Sequence, residues 1–486
     1  MESNKIIWNK TTEPTPAEIV QLIKAYLASP QYRYLDYIGT YYNSENANLF
    51  IQHRKKKEKG KMPNWCIPTA YYSTLVDSMS GYMFSNVVYS DNTKIEDSED
   101  GEEQEDSEFS VILNDTFKKL NIDTVDIKTG IRALAFNKGC EIVYTTGDKI
   151  KKPEIHVVSV DPRQMMFIYN NDIEPKVLYG CRIIAINEEV PRSKSKYVYA
   201  VDFISKDKWI SYKIDNKDNI VVNTDFEPRT LYWSECPCIE YNTETLNDNT
   251  AFHQVIPLID GLDAVITGSA NEQDKLADAM LVLGEVMSPE QKQQLNDMKL
   301  YEGATKDGIA PHYVQRQLDP EFRDYLSDLL IREIHKHSHV IDFYSPDNGA
   351  QGDASGKALK VRMVDMNMFC DRVEKSIKIG WQKKIRLAKE FFEKAFSMNL
   401  KDQYVEPIFN RTRIVGIEDI APLLSTVTFM SETSKQIYSG LDPKEEKKNF
   451  EKEKLNNGTD VTDLLSDDKP TDASASISAP QKAVIE

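Results

Sequence analysis

Ser355-Gly356-Lys357-Ala358-Leu359-Lys360 is the stretch on which the fold turns, because it ends a polar, glycine-bearing loop and opens a long run of helical periodicity. Two functions could sit on such a junction. Read as chemistry, Gly356-Lys357 suggests the end of a phosphate-binding loop, whose backbone N–H groups and lysine cradle nucleotide phosphates at a helix N-terminus. The spacing argues against it. That motif needs a glycine five residues before Gly356, where this chain has Gln351, and a serine or threonine after the lysine, where it has Ala358. Gly349 and Gly352 are both out of register.

Downstream, Leu359, Met363, Met366, Phe369, Val373, Ile377, Trp381, Ile385, Ala388, Phe392 and Phe396 recur at steps of three and four. They predict one amphipathic helix of about forty residues, roughly 60 Å at 1.5 Å per residue, too long for a small globular domain. Gly380 marks the place for a bend. The basic-rich face between Arg372 and Lys394 reads as a solvated or subunit-facing surface.

Upstream, Asp342 to Ser355 form a loop rich in Gly, Asn, Asp and Ser. Before it, Asp319-Pro320-Glu321 caps a helix running through Phe322, Leu326, Leu329, Leu330 and Ile334 toward His339. His335 and His339 are one helical turn apart, a spacing that can bind a metal. The glutamate of a metalloprotease motif is missing, so polar residues at a helix end facing solvent or neighbouring subunits are the plainer reading. Helical periodicity also marks Val255, Ile259, Leu262 and Ile266, with Pro257 bending or restarting that helix. Between the two helices lies a mixed segment: a strand over Met280 to Val286, a helix opened by Pro289, and a second strand over His312 to Gln315.

Nearer the N-terminus, Thr15-Pro16-Ala17-Glu18 supplies an N-cap, a proline at the first helical position and a capping-box glutamate, predicting a helix to about Ser29. An aromatic stretch follows (Tyr32, Tyr34, Tyr37, Tyr41, Tyr42), then a basic cluster from Arg54 to Lys61 that reads as a solvated loop. From Glu96 to Glu108, nine of thirteen residues are acidic, a block that repels itself and reads as an exposed insertion rather than a calcium loop. From Cys140 to about Tyr241 the pattern becomes short strands: Glu141–Thr145, His156–Val160, Met165–Tyr169, Val177–Ile184, Lys196–Ile204, Trp209–Lys213 and Ile220–Asn223. They predict a meandering, mainly antiparallel β region.

The 486 residues, 40% of them hydrophobic, can bury a sizeable core and suggest two to four structural units. No run of about 18 apolar residues could span a bilayer, and the first residues lack a signal-peptide core, so a cytosolic product without a membrane partner is expected. Six scattered cysteines lack zinc-site spacing; Cys236 and Cys238 read as a strand edge with alternate faces, and reduced thiols are expected. A net charge of −17 argues against tight wrapping of DNA, which needs a basic footprint. Acidity suits a conduit through which a polyanion slides better than a clamp.

With its flanks, the opening stretch resembles phage portal proteins of long, flexible-tailed viruses, in which a small-Gly-x-Ala-Leu-Lys signature begins a long helix; Asp353 to Lys360 match it. Lys61-Met62-Pro63-Asn64 with Tyr71, Leu75, Val76, Asp77 and Gly81-Tyr82-Met83-Phe84 is similar to that family's helix leading into a Gly-Tyr turn. Val255 to Asp260 resemble the start of its first channel helix, and Met430-Ser431-Glu432-Thr433 the approach to its crown. The order and spacing of these segments hold over roughly residues 20 to 455.

The resemblance implies an α+β portal fold: a β-rich and helical wing (1–250, with an acidic insertion at about 91–108 and the β-rich part at about 140–241), a first stem helix (251–280), an α/β clip (281–318) and a second stem helix (319–340). A tunnel loop (341–356), a long kinked wing helix and return (357–424), a helical crown (425–455) and a disordered tail (456–486) complete it. It further implies a homo-oligomeric ring, usually of twelve subunits, at one capsid vertex, passing double-stranded DNA in packaging and ejection. The terminase large subunit and a head-completion adaptor would dock on it, with capsid and scaffolding proteins around it, in a virion assembled in the host cytoplasm. Asp347, Asn348, Gly349, Gln351, Asp353 and Ser355 would face DNA, Arg332, Lys336, Lys357 and Lys360 would be its basic channel residues, and Glu285, Glu290, Gln291 and Gln294 would meet clip partners. No catalytic residue, metal or cofactor is expected. The rivals are a nucleotide-dependent enzyme built on Gly356-Lys357, and another virion connector or scaffold protein.

Overall fold

A computed structural model describes residues 5–49, 65–91, 107–146, 153–186, 197–215, 217–226, 229–231, 233–243, 249–277, 280–283, 300–302, 312–314, 320–342 and 356–411. All belong to one compact unit, Met1–Thr412; the second unit, Arg413–Glu486, lies outside the described residues together with the expected crown and tail.

Helix α1 (Pro16–Ala28) begins as its capping box predicts: Thr15 Oγ1 accepts from Glu18 N at 3.4 Å, and Glu18 Oε2 accepts from Thr15 N at 2.8 Å. Ser29 ends α1 and caps the next helix, its hydroxyl accepting from Tyr32 N at 3.1 Å. The aromatic stretch is therefore helix α2 (Pro30–Tyr42), with Leu35, Ile38 and Tyr41 on one buried face at steps of three.

All seven predicted strands form, as β3 (Gly139–Thr146), β4 (Glu154–Val160), β5 (Met165–Tyr169), β6 (Val177–Ala185), β7 (Tyr197–Ile204), β8 (Lys208–Asp215) and β9 (Ile220–Val222). Strands β5 to β9 pair antiparallel in sequence order, the meander expected. To them the structure adds β1 (Ile6–Ile7), parallel to β5 at one edge, and β10 (Arg229–Thr230) beside β8. Two residues are too few to carry a periodicity, which is why neither strand was legible. Strand β5 is buried on both faces: Met166 and Ile168 pack with Ile19, Val20 and Ile23 of α1, while Met165, Phe167 and Tyr169 turn to the larger core. A second sheet orders β11 (Cys238–Tyr241), β3 and β4. The strand begins at Cys238, so the pair is not an alternating edge; Cys236 precedes it, and both thiols are buried and free.

Helices α3 (Tyr71–Phe84), α4 (Glu108–Lys119) and α5 (Ile122–Phe136) build the rest of the large core. Gly81 and Tyr82 lie inside α3 rather than in a turn after it, because Met79, Met83 and Phe84 continue its buried face. The acidic block is shorter than expected at both ends: Asp91 closes strand β2 (Val87–Asp91), and Ser107 caps α4, whose first residue is Glu108.

The long helix predicted from the opening stretch is α8 (Gly356–Phe396), 41 residues. Every predicted apolar position from Met363 to Phe392 is buried, whereas Phe396 at its end is half exposed. Trp381 stacks on Phe84 at 5.8 Å and meets Tyr241 edge-on at 4.7 Å and Phe409 at 5.3 Å. Phe409 belongs to β15 (Val405–Phe409), which returns antiparallel to β2. Packing accounts for Gly380: a Cβ there would lie 2.3 Å from the Tyr241 ring.

Candidate functional site: a helix pair and its mounts

A 3₁₀ turn at His253–Val255 leads into α6 (Ile256–Ala277), so Pro257 falls in the first turn, where its missing N–H costs nothing. The proline restarts the helix. After α6 come β12 (Met280–Leu283), β13 (Leu300–Glu302) and β14 (His312–Val314), a small sheet with β12 in the middle, parallel to β13 and antiparallel to β14. Then α7 (Pro320–Ser338) packs against α6: Gly261 faces Leu330 with ordinary van der Waals room, and Arg323 pairs with Glu272.

One side of α6 is polar and buried, and it works as a template. Asp263 accepts from Thr69 N at 2.8 Å, from Thr69 Oγ1 at 2.7 Å and from Asn46 Nδ2. Thr267 Oγ1 accepts from Ile67 N at 3.2 Å and donates to Ile67 O at 3.3 Å. Asn271 accepts from Trp65 N at 2.6 Å and donates to Trp65 O at 3.2 Å. Four residues of helix rise about 6 Å and two residues of extended chain about 6.7 Å, so 263, 267 and 271 match 69, 67 and 65 in reverse order. Side chains of a helix thus stand in for a neighbouring strand, which this segment lacks among the described residues. One turn earlier, Asp260 accepts from Tyr41 OH at 2.6 Å and Asn48 Nδ2 at 2.7 Å, with burial first and Asp260 second pushing the Tyr41 phenol up. Burial likewise raises the Asp263 carboxyl, against the pull of its bonds to Asn46 and Thr69.

The second mount holds α8. Lys384 was expected on a solvated or subunit-facing surface, yet its side chain is 0% exposed within the subunit. It pairs with Asp126 of α5 and lies 3.5 Å from Glu141 of β3, both also fully buried. Tyr89 donates to Asp126, and Tyr241 and Thr129 donate to Glu141, the latter at 2.7 Å. Desolvation pushes the Glu141 carboxyl up although Lys384 pulls it down; Lys384 itself is raised, its two carboxylates outweighing burial. Five elements, β2, α5, β3, β11 and α8, meet at this one cation. Nearer the start of α8, Arg411 reaches Asp371, Glu374 at 2.9 Å and Asn367 at 3.4 Å.

Arg332 and Lys336 are exposed one turn apart on α7, and Lys336 is 3.3 Å from Glu333. The same helix exposes Glu321, Asp324 and Asp328 before them, so its outer side runs from acidic to basic, in line with the helix dipole. Lys357 and Lys360 open α8 in the backbone, but their side chains lie outside the described residues. So do Asp347, Asn348, Gly349, Gln351, Asp353 and Ser355, and Glu285, Glu290, Gln291 and Gln294. His335 and His339 do not share a helix face, because α7 ends at Ser338 and His339 takes φ 59°. His335 Nδ1 is 2.9 Å from Val340 O, and His339 Nδ1 is 2.8 Å from Asp365 of α8. Among the described residues no group of three or more His, Cys, Asp or Glu is placed to hold a metal.

Two helices side by side and joined through a small sheet, with α6 and a 41-residue helix each fixed by buried polar contacts, define a protein of mixed α and β elements. The chain belongs to the phage portal protein family described as SPP1 Gp6-like, which it matches over residues 28–459. That family is structural, not enzymatic. No curated protein shows a significant match. Among solved structures, a chain from the neck of a native GTA particle computed with C12 symmetry aligns at 10% identity and TM-score 0.40, covering 77% of this chain and 90% of its own. A chain from the neck of an empty GTA particle computed with C6 symmetry aligns at 12% identity and TM-score 0.39, covering 77% and 89%.

Proposed function

We propose that the chain is the subunit of a portal ring at one capsid vertex, a conduit for double-stranded DNA in packaging and ejection. The observation that carries this reading is the family match across residues 28–459, which spans the succession α6, small sheet, α7, α8. In this reading α6 and α7 are the stem helices and the sheet of β12, β13 and β14 belongs to the clip, where the terminase large subunit docks and a head-completion adaptor follows. The loop between α7 and α8, with Asp347, Asn348, Gly349, Gln351, Asp353 and Ser355, faces the channel and touches moving DNA without holding it. Arg332, Lys336, Lys357 and Lys360 flank it, and Glu285, Glu290, Gln291 and Gln294 meet the clip's partners. The subunits number twelve, and the protein ends in the virion after assembly in the host cytoplasm. The two mounts suit a wall element under load: each fixes a helix to the body by buried polar contacts that have one register.

Negative-stain microscopy of the purified protein tests the reading, with native mass spectrometry counting subunits. End-on rings with a central hole are expected. Monomers alone across a range of protein and salt concentrations would overturn it.

A further inference from the structure

Arg229 of β10 stands opposite Trp209 of β8, and its guanidinium carbon lies 5.6 Å from the Tyr144 ring centroid, 5.4 Å from Trp209 and 5.4 Å from Phe226. The rings brace one another: Trp209 meets Tyr144 edge-on at 5.8 Å and Phe226 at 5.7 Å. Tyr144 in turn stacks on His156 at 5.1 Å, whose Nε2 is 2.7 Å from Thr146 Oγ1. Such a cage fixes the plane of a guanidinium while leaving its N–H edges free, so little entropy is lost when they bond.

What the cage lacks is an acceptor. Among the described residues no carboxylate pairs with Arg229, and Trp209 Nε1, in a side chain only 7% exposed, has no hydrogen-bond partner. The half-buried guanidinium, held against three rings with no acid paired to it among the described residues, keeps its N–H edges open to an anionic acceptor from elsewhere. The neighbouring charges are already matched, Lys213 with Asp225 at 2.6 Å and His156 near Glu154 at 3.9 Å. A single guanidinium fork with acids close by fits one carboxylate better than a phosphate-rich polymer.

We propose that Arg229 and its three rings form a receptor for a carboxylate, supplied by the acidic stretch Glu96 to Asp106 of a neighbouring copy of this chain. This rests on the ring reading, which sets identical copies side by side. The stretch carries eight acids in eleven residues, the densest negative charge in the sequence. Held at both ends, the fifteen residues between Asp91 and Ser107 can reach about 25 Å out and back when extended. A chain of net charge −17 needs such pairings between copies if its subunits are not to repel.

The test is a double-mutant cycle on assembled full-length protein: wild type, Arg229→Gln, the eight acids changed to Asn or Gln, and the combination. The readout is the salt concentration that dissociates half the rings, by size-exclusion light scattering. Each single change is expected to lower it at least twofold, and the combination no further than either alone. Circular dichroism of dissociated subunits checks folding; Arg229→Lys, which keeps the charge and loses the fork, stands in if the glutamine variant is unfolded and should fall between. Additive losses, an unaffected Arg229→Gln, or a weakened Arg229→Gln beside an unaffected acid variant would each overturn the inference while leaving the ring reading intact. Absence of wild-type rings would sink the ring reading and this inference with it.

Discussion

Lys384→Met keeps the stem of the side chain and removes the one cation between two fully buried carboxylates. Breaking a buried ion pair from one side costs about 3–5 kcal/mol, because the partner stays buried and uncompensated. Here two partners stay, softened by the hydroxyls of Tyr89, Tyr241 and Thr129. If Met1–Thr412 unfolds as one unit, its unfolding entropy is roughly 0.9 kcal/mol/K, so the midpoint should fall by about 3–6 °C at pH 8. The pH dependence has a definite sign. Burial already raises the Glu141 carboxyl with Lys384 opposing; without the lysine it rises further. A carboxyl whose folded pKa exceeds its unfolded value stabilises fully below the unfolded value and loses that contribution as pH rises through the folded one. The variant's deficit should therefore be larger at pH 8 than at pH 5.5. Changing Asp126 to Asn and Glu141 to Gln as well should recover most of the loss, since a neutral cluster pays no charge desolvation. Thermal unfolding by tryptophan fluorescence on dissociated subunits reads all three quantities. A midpoint within 1 °C of wild type, or a deficit that grows as pH falls, would refute the reasoning.

Asp263→Ala removes the acceptor of three bonds at the head of the α6 ladder and should cost about 3 kcal/mol, speeding amide exchange at Thr69 on the order of a hundredfold; unchanged exchange would show the ladder to be dispensable. Two glycine-to-alanine changes should go opposite ways in dissociated subunits. Gly380→Ala meets the Tyr241 ring and should destabilise by about 1–3 kcal/mol, whereas Gly268→Ala enters open space in a helix and should stabilise by up to about 1 kcal/mol; a common sign would contradict the packing account. Deleting Asp347 to Gln351 should leave rings intact on negative-stain grids but impair packaging or retention of DNA, and unassembled protein would make that loop a structural element instead.

Periodicity and caps made most of the fold legible. Thr15 to Glu18 located α1 to the residue at its start, and the three-and-four spacing from Leu359 to Phe396 located α8 because the helix packs one continuous face. Where the signal is short or shared, the reading stopped. Strand β1 is two residues long, and β15 with β2 exists because Phe409 returns to Phe84 and Trp381 after a long excursion of the chain. Helix α2 hid behind five tyrosines, whose β preference competes with the start signal of Ser29-Pro30.

The mounts escaped for a different reason. Lys384 sits in a basic run in which Arg386 does face outward, and only the arrival of Asp126, 258 residues earlier in the chain, marks it as buried. Composition cannot register that pairing, since each charge read alone belongs on a surface. The α6 ladder did leave a local trace: Asp260, Asp263, Thr267 and Asn271 recur at steps of three and four, an amphipathic stripe of the opposite sense on a helix whose apolar stripe was noticed. Polar residues at helical spacing ask for a partner just as apolar ones do, and here the partners are backbone groups and uncharged side chains, which is why no complementary charge elsewhere in the sequence pointed to them. A buried polar face also explains how the helix keeps its place on the body: an apolar contact tolerates sliding, whereas a slide of part of a turn would unpair both N–H groups and both carbonyls of Trp65 and Ile67 at once.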